Sequence, residues 1–238
     1  MERYVAVDLE TTGLYPGRDR ILEIGAVKVR DGLEVETFHT LVDPRMEIPD
    51  YITDLTGITG EMVAGKPTAD GAVAEFVEFA AGYPLLGHSL QFDYAFLKHQ
   101  AVDMGLYFEK LGCDSLKIAR LLLPQLPSRR LGDLCVHFGI PLDRAHRALE
   151  DARAASGVFE CLRQEFEEKY PEYFQEKPLI CKVKKRSPIT LRQKDYLHDL
   201  LEYHKITVAV QIDSLTRNEA SRLIDQIILE HGRMEAKK

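Results

Sequence analysis

The chain has 238 residues, of which 45% are hydrophobic and 29% charged, a balance too apolar for intrinsic disorder. No apolar run reaches the roughly 20 residues of a membrane-spanning helix. The start, MERYVAVDLE, enters a strand pattern directly, so neither a membrane protein nor an N-terminal signal peptide is expected. The formal net charge of −7 argues against a protein that simply coats nucleic acid. Residues 1–176 carry 18 basic and 30 acidic side chains, whereas residues 177–238 carry 13 and 8. That change of sign predicts two units with different tasks. Cys113, Cys135, Cys161 and Cys181 form no C-x-x-C pair, so free thiols in a reducing cytoplasm are expected rather than a thiolate zinc site or a disulfide framework.

Tyr4 to Asp8 (YVAVD) reads as a short interior strand, and TTGLYPGRDR after it as a loop. ILEIGAVKVR and LEVETFHTLV are strand patterns, with Asp31 and Gly32 between them as a type I′ hairpin signal. The chain is therefore expected to open with three antiparallel strands. Residues 49–82 predict short helical segments separated by Gly57, Gly60 and Gly65, then a longer helix through AVAEFVEFAAG. A short buried strand follows at 84–87, then a helix through FDYAFLKHQAVDMG that stops at Gly105. Another short strand is expected around Cys113, then helices over SLKIARLLLP and LGDLCVHFGI and a long one over 147–169. Strands first, then strands alternating with helices, predict an α/β fold with a mixed sheet.

Three acidic segments stand out. Asp8 and Glu10 are two residues apart on a strand, so both carboxylates face the same side. Like charges ~4 Å apart repel by roughly 4 kcal/mol at an effective dielectric of about 20. A proton, an arginine or a cation must offset that, and a divalent metal with oxygen ligands does so well. Alone, a D-x-E is also what a solvated strand end shows. HSLQFDYAFL places Asp93 at a helix start, where the helix dipole by itself favours an acid. AHRALEDA puts His146 just before a helix and Asp151 in its second turn. Five residues is not a same-face helical spacing, so these two converge only if His146 lies outside the helix proper.

VDLETTG, HSLQFDYAFL and HRALEDA, in this order, resemble the three motifs of the DEDDh 3′–5′ exonuclease family. That family includes the epsilon proofreading subunit of bacterial replicative DNA polymerase, RNase T and oligoribonuclease. The resemblance spans residues 3–165, and DSLKIARLLLP and LGDLCVHFGI are similar to the family's connecting segment. Ser89 departs from it, standing where many relatives carry Asn, which bears on local loop hydrogen bonding. The resemblance implies an RNase H-like fold in which Asp8, Glu10, Asp93 and Asp151 hold two divalent cations, Mg²⁺ or Mn²⁺, and His146 is the general base. Asp8 would bridge both ions, with Glu10 and Asp151 on the nucleophile side and Asp93 on the leaving-group side. It also implies that Thr11, Thr12, Gly13 and Leu14 face the 3′-terminal nucleotide, the Thr12 hydroxyl at the sugar and Leu14 against the last base.

His88 and Phe92 flank the second motif as further substrate contacts, although Phe92 could equally be core. Arg18, Arg20, Arg129, Arg130, Arg144 and Arg147 are candidates for phosphates. The implied activity is 3′–5′ hydrolysis of single-stranded or 3′-ended nucleic acid to nucleoside 5′-monophosphates. DNA is favoured over RNA, within a polymerase or repair complex in the cytoplasm. The alternatives are an exoribonuclease trimming RNA 3′ ends or short oligoribonucleotides, and a non-catalytic nucleic-acid-binding or polymerase-docking module. The intact set of five residues argues against the latter.

This reading assigns residues 1–170 to the exonuclease domain. Residues 171–189 hold three prolines and the cluster KVKKR at 182–186 and read as a linker or extended arm. The cluster could track a nucleic-acid backbone or simply be a solvated linker. Residues 190–233 read as a small helix–loop–helix accessory domain. Its helices open on capping boxes at Thr190/Gln193 and Thr216/Glu219. Its apolar stripes are Leu197, Leu200 and Leu201, then Ala220, Leu223, Ile224, Ile227 and Ile228. Residues 177–238 are expected to raise affinity for longer substrates.

Overall fold

The sheet is built around β1 (Arg3–Thr11), in a computed structural model that describes residues 1–142, 145–183, 187–208 and 210–234. The apolar residues of β1 are buried on both faces, as in an interior strand: Val5, Val7 and Leu9 enter one core cluster, Tyr4 and Ala6 another. β2 (Ile21–Arg30) pairs antiparallel with β1, and β3 (Leu33–Leu41) with β2. Asp31 and Gly32 turn the chain between them at φ 50° and 75°, the two left-handed residues that a type I′ hairpin demands. On its other edge β1 pairs in parallel with β4 (Leu85–Gly87), and β4 with β5 (Leu111–Asp114). β6 (Lys177–Pro178) pairs antiparallel with β5, giving the order β3-β2-β1-β4-β5-β6.

Helices cover both faces. α1 (Asp50–Thr56) and α2 (Gly60–Val63) precede α3 (Ala69–Phe79). α3 and α4 (Leu90–Met104) bury Phe76, Tyr94 and Leu97 with Val5 and Val7. α5 (Ser115–Leu122), α6 (Leu131–Phe138) and α7 (Ala148–Phe166) bury Ile118, Leu134, Val158 and Phe159 with Tyr4 and Ala6. α4 stops where Gly105 takes a left-handed φ of 77° and its amide reaches back to the helix carbonyls.

Several boundaries differ from the sequence reading. β1 continues past Asp8, because Glu10 and Thr11 still pair with Glu23 and Ile21 across β2. Gly60 opens α2 rather than separating helices. The stretch expected as a linker over 171–189 is structured in its first half. Pro171–Tyr173 is a 3-10 turn, Phe174 is buried in the second core cluster, and Lys177–Pro178 is β6. Proline is tolerated there because an edge strand pairs only one side of its backbone.

The chain divides into two compact units, Met1–Pro44 with Ile48–Val183, and Arg45–Glu47 with Lys184–Lys238. The first runs past residue 170 because β6 belongs to its sheet. The second contains α8 (Leu191–His204) and α9 (Arg217–His231), each starting on its capping box. Their stripes bury Leu197, Leu200, Leu201, Ala220 and Ile227 in a core of their own. Arg144 and residues 184–186 of the basic cluster lie outside the described residues.

The seat of α7 positions the site. Gly25 is the β2 residue opposite Asp8, and a Cβ added to it would stand 2.1 Å from the Leu149 nitrogen and 2.2 Å from the Ala148 carbonyl carbon. The first turn of α7 thus lies directly on the β2 backbone. The obstacle is backbone, so no rotamer change relieves it. Gly25→Ala is expected to lose about 3 kcal/mol or more of folding stability, measured by urea unfolding. An unchanged midpoint would show that α7 does not rest on Gly25.

Candidate active site

Side chains alternate along β1, so Asp8 and Glu10 share the face of Tyr4 and Ala6, the face that α7 covers. Their cross-strand partners are Gly25 and Glu23. Asp93, in the first turn of α4, is buried, and its Oδ1 accepts a hydrogen bond from the Leu9 amide at 3.1 Å. Asp93 is thereby tied to the β1 backbone between the two strand acids. The chain enters α4 through Ser89 at φ 83°, ψ 37°, with no side-chain cap bond. Asparagine tolerates that left-handed conformation better than serine, a backbone reason for the Asn that many relatives carry.

The five-residue gap between His146 and Asp151 is closed by backbone geometry. His146 lies outside α7 at φ 64°, and its amide donates to the Asp151 Oδ2 at 2.9 Å. The chain doubles back, and ligand-type atoms of Glu10, His146 and Asp151 lie within 4.8 Å of one another. Glu10 and Asp151 are buried there, and His146 is exposed.

The electrostatics are those of crowded, buried acids. Burial, then Asp93, Asp151, Glu10 and Glu23, push the Asp8 carboxyl well above the usual carboxylate range. Burial, Asp151 and Glu23 raise Glu10 to about 8, against an opposing pull from Arg147. Asp93 is raised by burial despite the Leu9 amide, and Asp151 is raised by burial despite His146.

One residue escaped the sequence reading. Glu23 is fully buried, directly across from Glu10, where two like charges destabilise a sheet. Arg147 answers it with a fork: Nη2 donates to Oε1 at 2.7 Å, and Nε lies 3.2 Å from both oxygens. The Ala148 amide donates at 3.1 Å, and His39 Nε2 lies 2.6 Å away. These partners hold the Glu23 carboxyl below its ordinary range in spite of burial. Glu23 therefore clamps the start of α7 beside His146. The signal was present in ILEIGAV, as an acid and a glycine on one face of an apolar strand.

The other expected residues are placed as follows. Thr11 and Thr12 are buried, with Thr11 donating to the Gly13 carbonyl at 2.7 Å and Thr12 Oγ1 accepting from the Arg20 amide at 2.9 Å. A side chain on Gly13 would collide with the Asp19 carboxylate, and Leu14 beyond it is 72% exposed. Phe92 is half-buried against the core and packs on Phe96 at 5.0 Å between ring centres. Both nitrogens of His88 have protein partners: Nδ1 lies 2.9 Å from the Ser115 hydroxyl and Nε2 lies 2.8 Å from the Arg129 carbonyl oxygen. Burial lowers its pKa. Among the arginines proposed for phosphates, Arg147 is spent on Glu23, Arg18 pairs with Asp19, and Arg20 donates to the Arg18 carbonyl.

A mixed sheet flanked by helices, with paired acids at the end of its central strand, defines an RNase H-like architecture. The chain belongs to the RNase T exonuclease family, whose model matches residues 5–159. It is 42% identical over 157 residues to the PolC-type DNA polymerase III of Clostridium perfringens, covering 66% of this chain and 11% of that protein. It is 34% identical over 168 residues to the DNA polymerase III epsilon subunit of Aquifex aeolicus, covering 70% of this chain and 83% of the relative. The chain thus spans about a tenth of the PolC-type relatives' length. Its fold is shared by Escherichia coli exonuclease I, solved in complex with a dA16 oligonucleotide, at TM-score 0.65 and 19% identity over 73% of this chain and 43% of that one. Exonuclease X, solved with 5′ overhanging duplex DNA, aligns at TM-score 0.56 and 24% identity over 68% of this chain and 92% of that one. Among the described residues, no helix is long and apolar enough to cross a membrane.

Two outcomes follow from this geometry. A carboxyl raised on folding, such as Glu10 at about 8 against an ordinary 4.5, stabilises the fold below the lower value. That contribution is lost as pH rises through the upper one. The depressed Glu23 loses its own contribution only at lower pH, leaving roughly pH 5 to 8 to the raised acids. In chelator, the melting temperature is expected to fall across that window, and the increment from Mn²⁺ to grow across it. A flat increment would deny the cluster its raised acids. Separately, Glu23→Gln strands Arg147 and is expected to cost about 3 kcal/mol of stability. It should lower kcat more than it raises KM, since α7 carries Asp151. A pure KM effect would remove Glu23 from the positioning of α7.

Proposed function

We propose that this chain is a metal-dependent 3′–5′ exonuclease that releases nucleoside 5′-monophosphates from single-stranded or 3′-ended DNA. The observation that carries the reading is the approach of Glu10, His146 and Asp151 to within 4.8 Å of one another, with Asp8 near enough to Asp93, Asp151 and Glu10 to be raised by their charges. Carboxylate oxygens are hard donors suited to Mg²⁺ or Mn²⁺, and burial with like neighbours raises Asp8, Glu10, Asp93 and Asp151, so that ionising them together calls for a cation. The nearest fork-shaped cation, Arg147, is committed to Glu23. Asp8, Glu10, Asp93 and Asp151 would hold two divalent ions, which supply water activation and charge stabilisation at the phosphate and the departing 3′ oxygen.

This chain's own residues do the rest. His146 is exposed beside Glu10 and Asp151, where an imidazole accepts a proton from an attacking water near neutral pH. Asp151 fixes the His146 backbone through its amide. The Thr11–Gly13 turn, closed by its own hydrogen bonds, presents Leu14 outward to the base of the 3′-terminal nucleotide. DNA as substrate is supported by relatives named as parts of DNA polymerase III and by neighbours solved with DNA. The same relatives support work within a bacterial polymerase complex in the cytoplasm.

A time course on matched 5′-labelled DNA and RNA oligomers, with Mg²⁺, Mn²⁺ or chelator and with free or blocked 3′ ends, tests this directly. Metal-dependent shortening from the free 3′ end is expected, faster on DNA, with stalling at a block. Asp8→Ala and His146→Ala should each lose at least about 100-fold in turnover, Asp8→Ala alone also losing metal binding by calorimetry. Wild-type turnover in either variant rejects the assignment, and faster loss of the RNA oligomer makes the chain an exoribonuclease.

A further inference from the structure

The first unit is acidic, and several of its arginines are held in ion pairs. Arg18 meets Asp19, Arg147 meets Glu23, Arg153 meets Glu34 and Glu150, and Arg163 meets Glu160 and Glu167. Arg120 and Arg130 differ. Both are exposed, and neither guanidinium has an ion pair or a hydrogen bond among the described residues. Both line one groove of about 760 Å³ whose lining also includes His146 and Asp151. Two uncompensated cations therefore share a cleft with the catalytic acid and histidine.

The groove is built, not incidental. Its basic wall is the segment between α5 and α6. Arg129 Nε donates to the Leu123 carbonyl at 3.0 Å, and the Arg130 amide donates to the Ser128 hydroxyl at 3.2 Å. The Arg129 carbonyl is held by His88 Nε2 at 2.8 Å. That last bond ties the arginine segment to the start of α4, the helix that carries Asp93. α6 begins at Leu131 with no side-chain cap on its first amides, which adds partial positive charge on the same wall. Leu116 and Leu142 give the groove an apolar side, and Asp133 is its carboxylate other than Asp151.

We propose that this groove carries the substrate strand on the 5′ side of the reacting bond, with Arg120 and Arg130 holding its backbone phosphates. The inference rests on the exonuclease reading above and adds where the strand lies. Guanidinium forks match phosphate oxygens, and an uncompensated arginine spends nothing on breaking an existing pair. Phosphate contacts carry no sugar or base information, so the groove holds DNA and RNA alike. Choice between them falls to the site itself.

The test is the gain in kcat/KM between a dinucleotide, which holds only the reacting phosphate, and an octamer, in DNA and RNA arms and over a salt series. For the wild-type chain the octamer is expected to be preferred in both arms. Arg120→Ser with Arg130→Ser should cut that preference about tenfold or more and flatten the salt slope by about 1.4, two phosphates at ~0.7 each. Arg120→Lys with Arg130→Lys should retain most of the slope, and Arg153→Ser, an arginine of the same unit outside the groove, should change neither quantity. The dinucleotide is an internal control, so partial loss of folded enzyme cancels in the ratio. An unchanged ratio and slope in the double serine variant overturns the groove while leaving the exonuclease reading intact. A preference confined to one arm overturns phosphate holding as its basis. A wild-type chain that removes no 3′ nucleotide from either oligomer overturns both.

Discussion

The crowding of buried carboxyls at the end of β1 is the constraint on which this molecule turns. Burial with like neighbours pushes Asp8, Glu10, Asp93 and Asp151 toward their neutral forms. Left to itself such a cluster would spread apart. Rigid elements oppose that: Asp8 and Glu10 sit on an interior strand of the sheet, Asp93 is bonded to that strand's backbone, and Asp151 is seated on a helix of 19 residues. The fold keeps together acids that would repel one another once ionised, a setting that suits oxygen-preferring divalent ions.

The two devices that hold α7 against the sheet are steric and ionic. Gly25 removes a side chain so that the helix can descend to the β2 backbone. One step along the same face, Glu23 supplies a buried anion that Arg147, His39 and the Ala148 amide surround. A buried charge pair is no guarantee of stability, but it does specify geometry here. Arg147 can satisfy Glu23 only when α7 begins where it does, which puts His146 outside the helix and Asp151 within reach of its amide. The strained φ of His146 is thus imposed from both sides.

His88 lines the groove beside His146 and Asp151 while both its ring nitrogens are held by protein partners. Its ring spans Ser115 and Arg129, joining the entry of α4 to the segments on either side of α5. The second motif is therefore both a source of Asp93 and a bracket for the cationic wall. Acidic and basic side chains thus share one cleft, an arrangement that suits a polyanion.

Local chemistry made much of this legible in the sequence. Alternation along YVAVDLE places Asp8 and Glu10 on one face, Asp31 and Gly32 mark their hairpin, and the capping boxes mark α8 and α9, because each depends on residues a few positions apart. The three acidic motifs, in order, pointed to the fold, and of the residues they name Glu10, His146 and Asp151 lie within 4.8 Å of one another. What the sequence could not reveal is every pairing made across long separations. Glu23 meets Arg147 from 124 residues away, Gly25 meets the backbone of α7, His88 holds the Arg129 carbonyl 41 residues on, and β6 adds itself to the sheet from inside an apparent linker. Arg147 and Arg130 look alike as sequence. Only packing decided that one would neutralise a buried acid while the other has no ion pair among the described residues, since an arginine's role is set by which anion folding brings within reach of it.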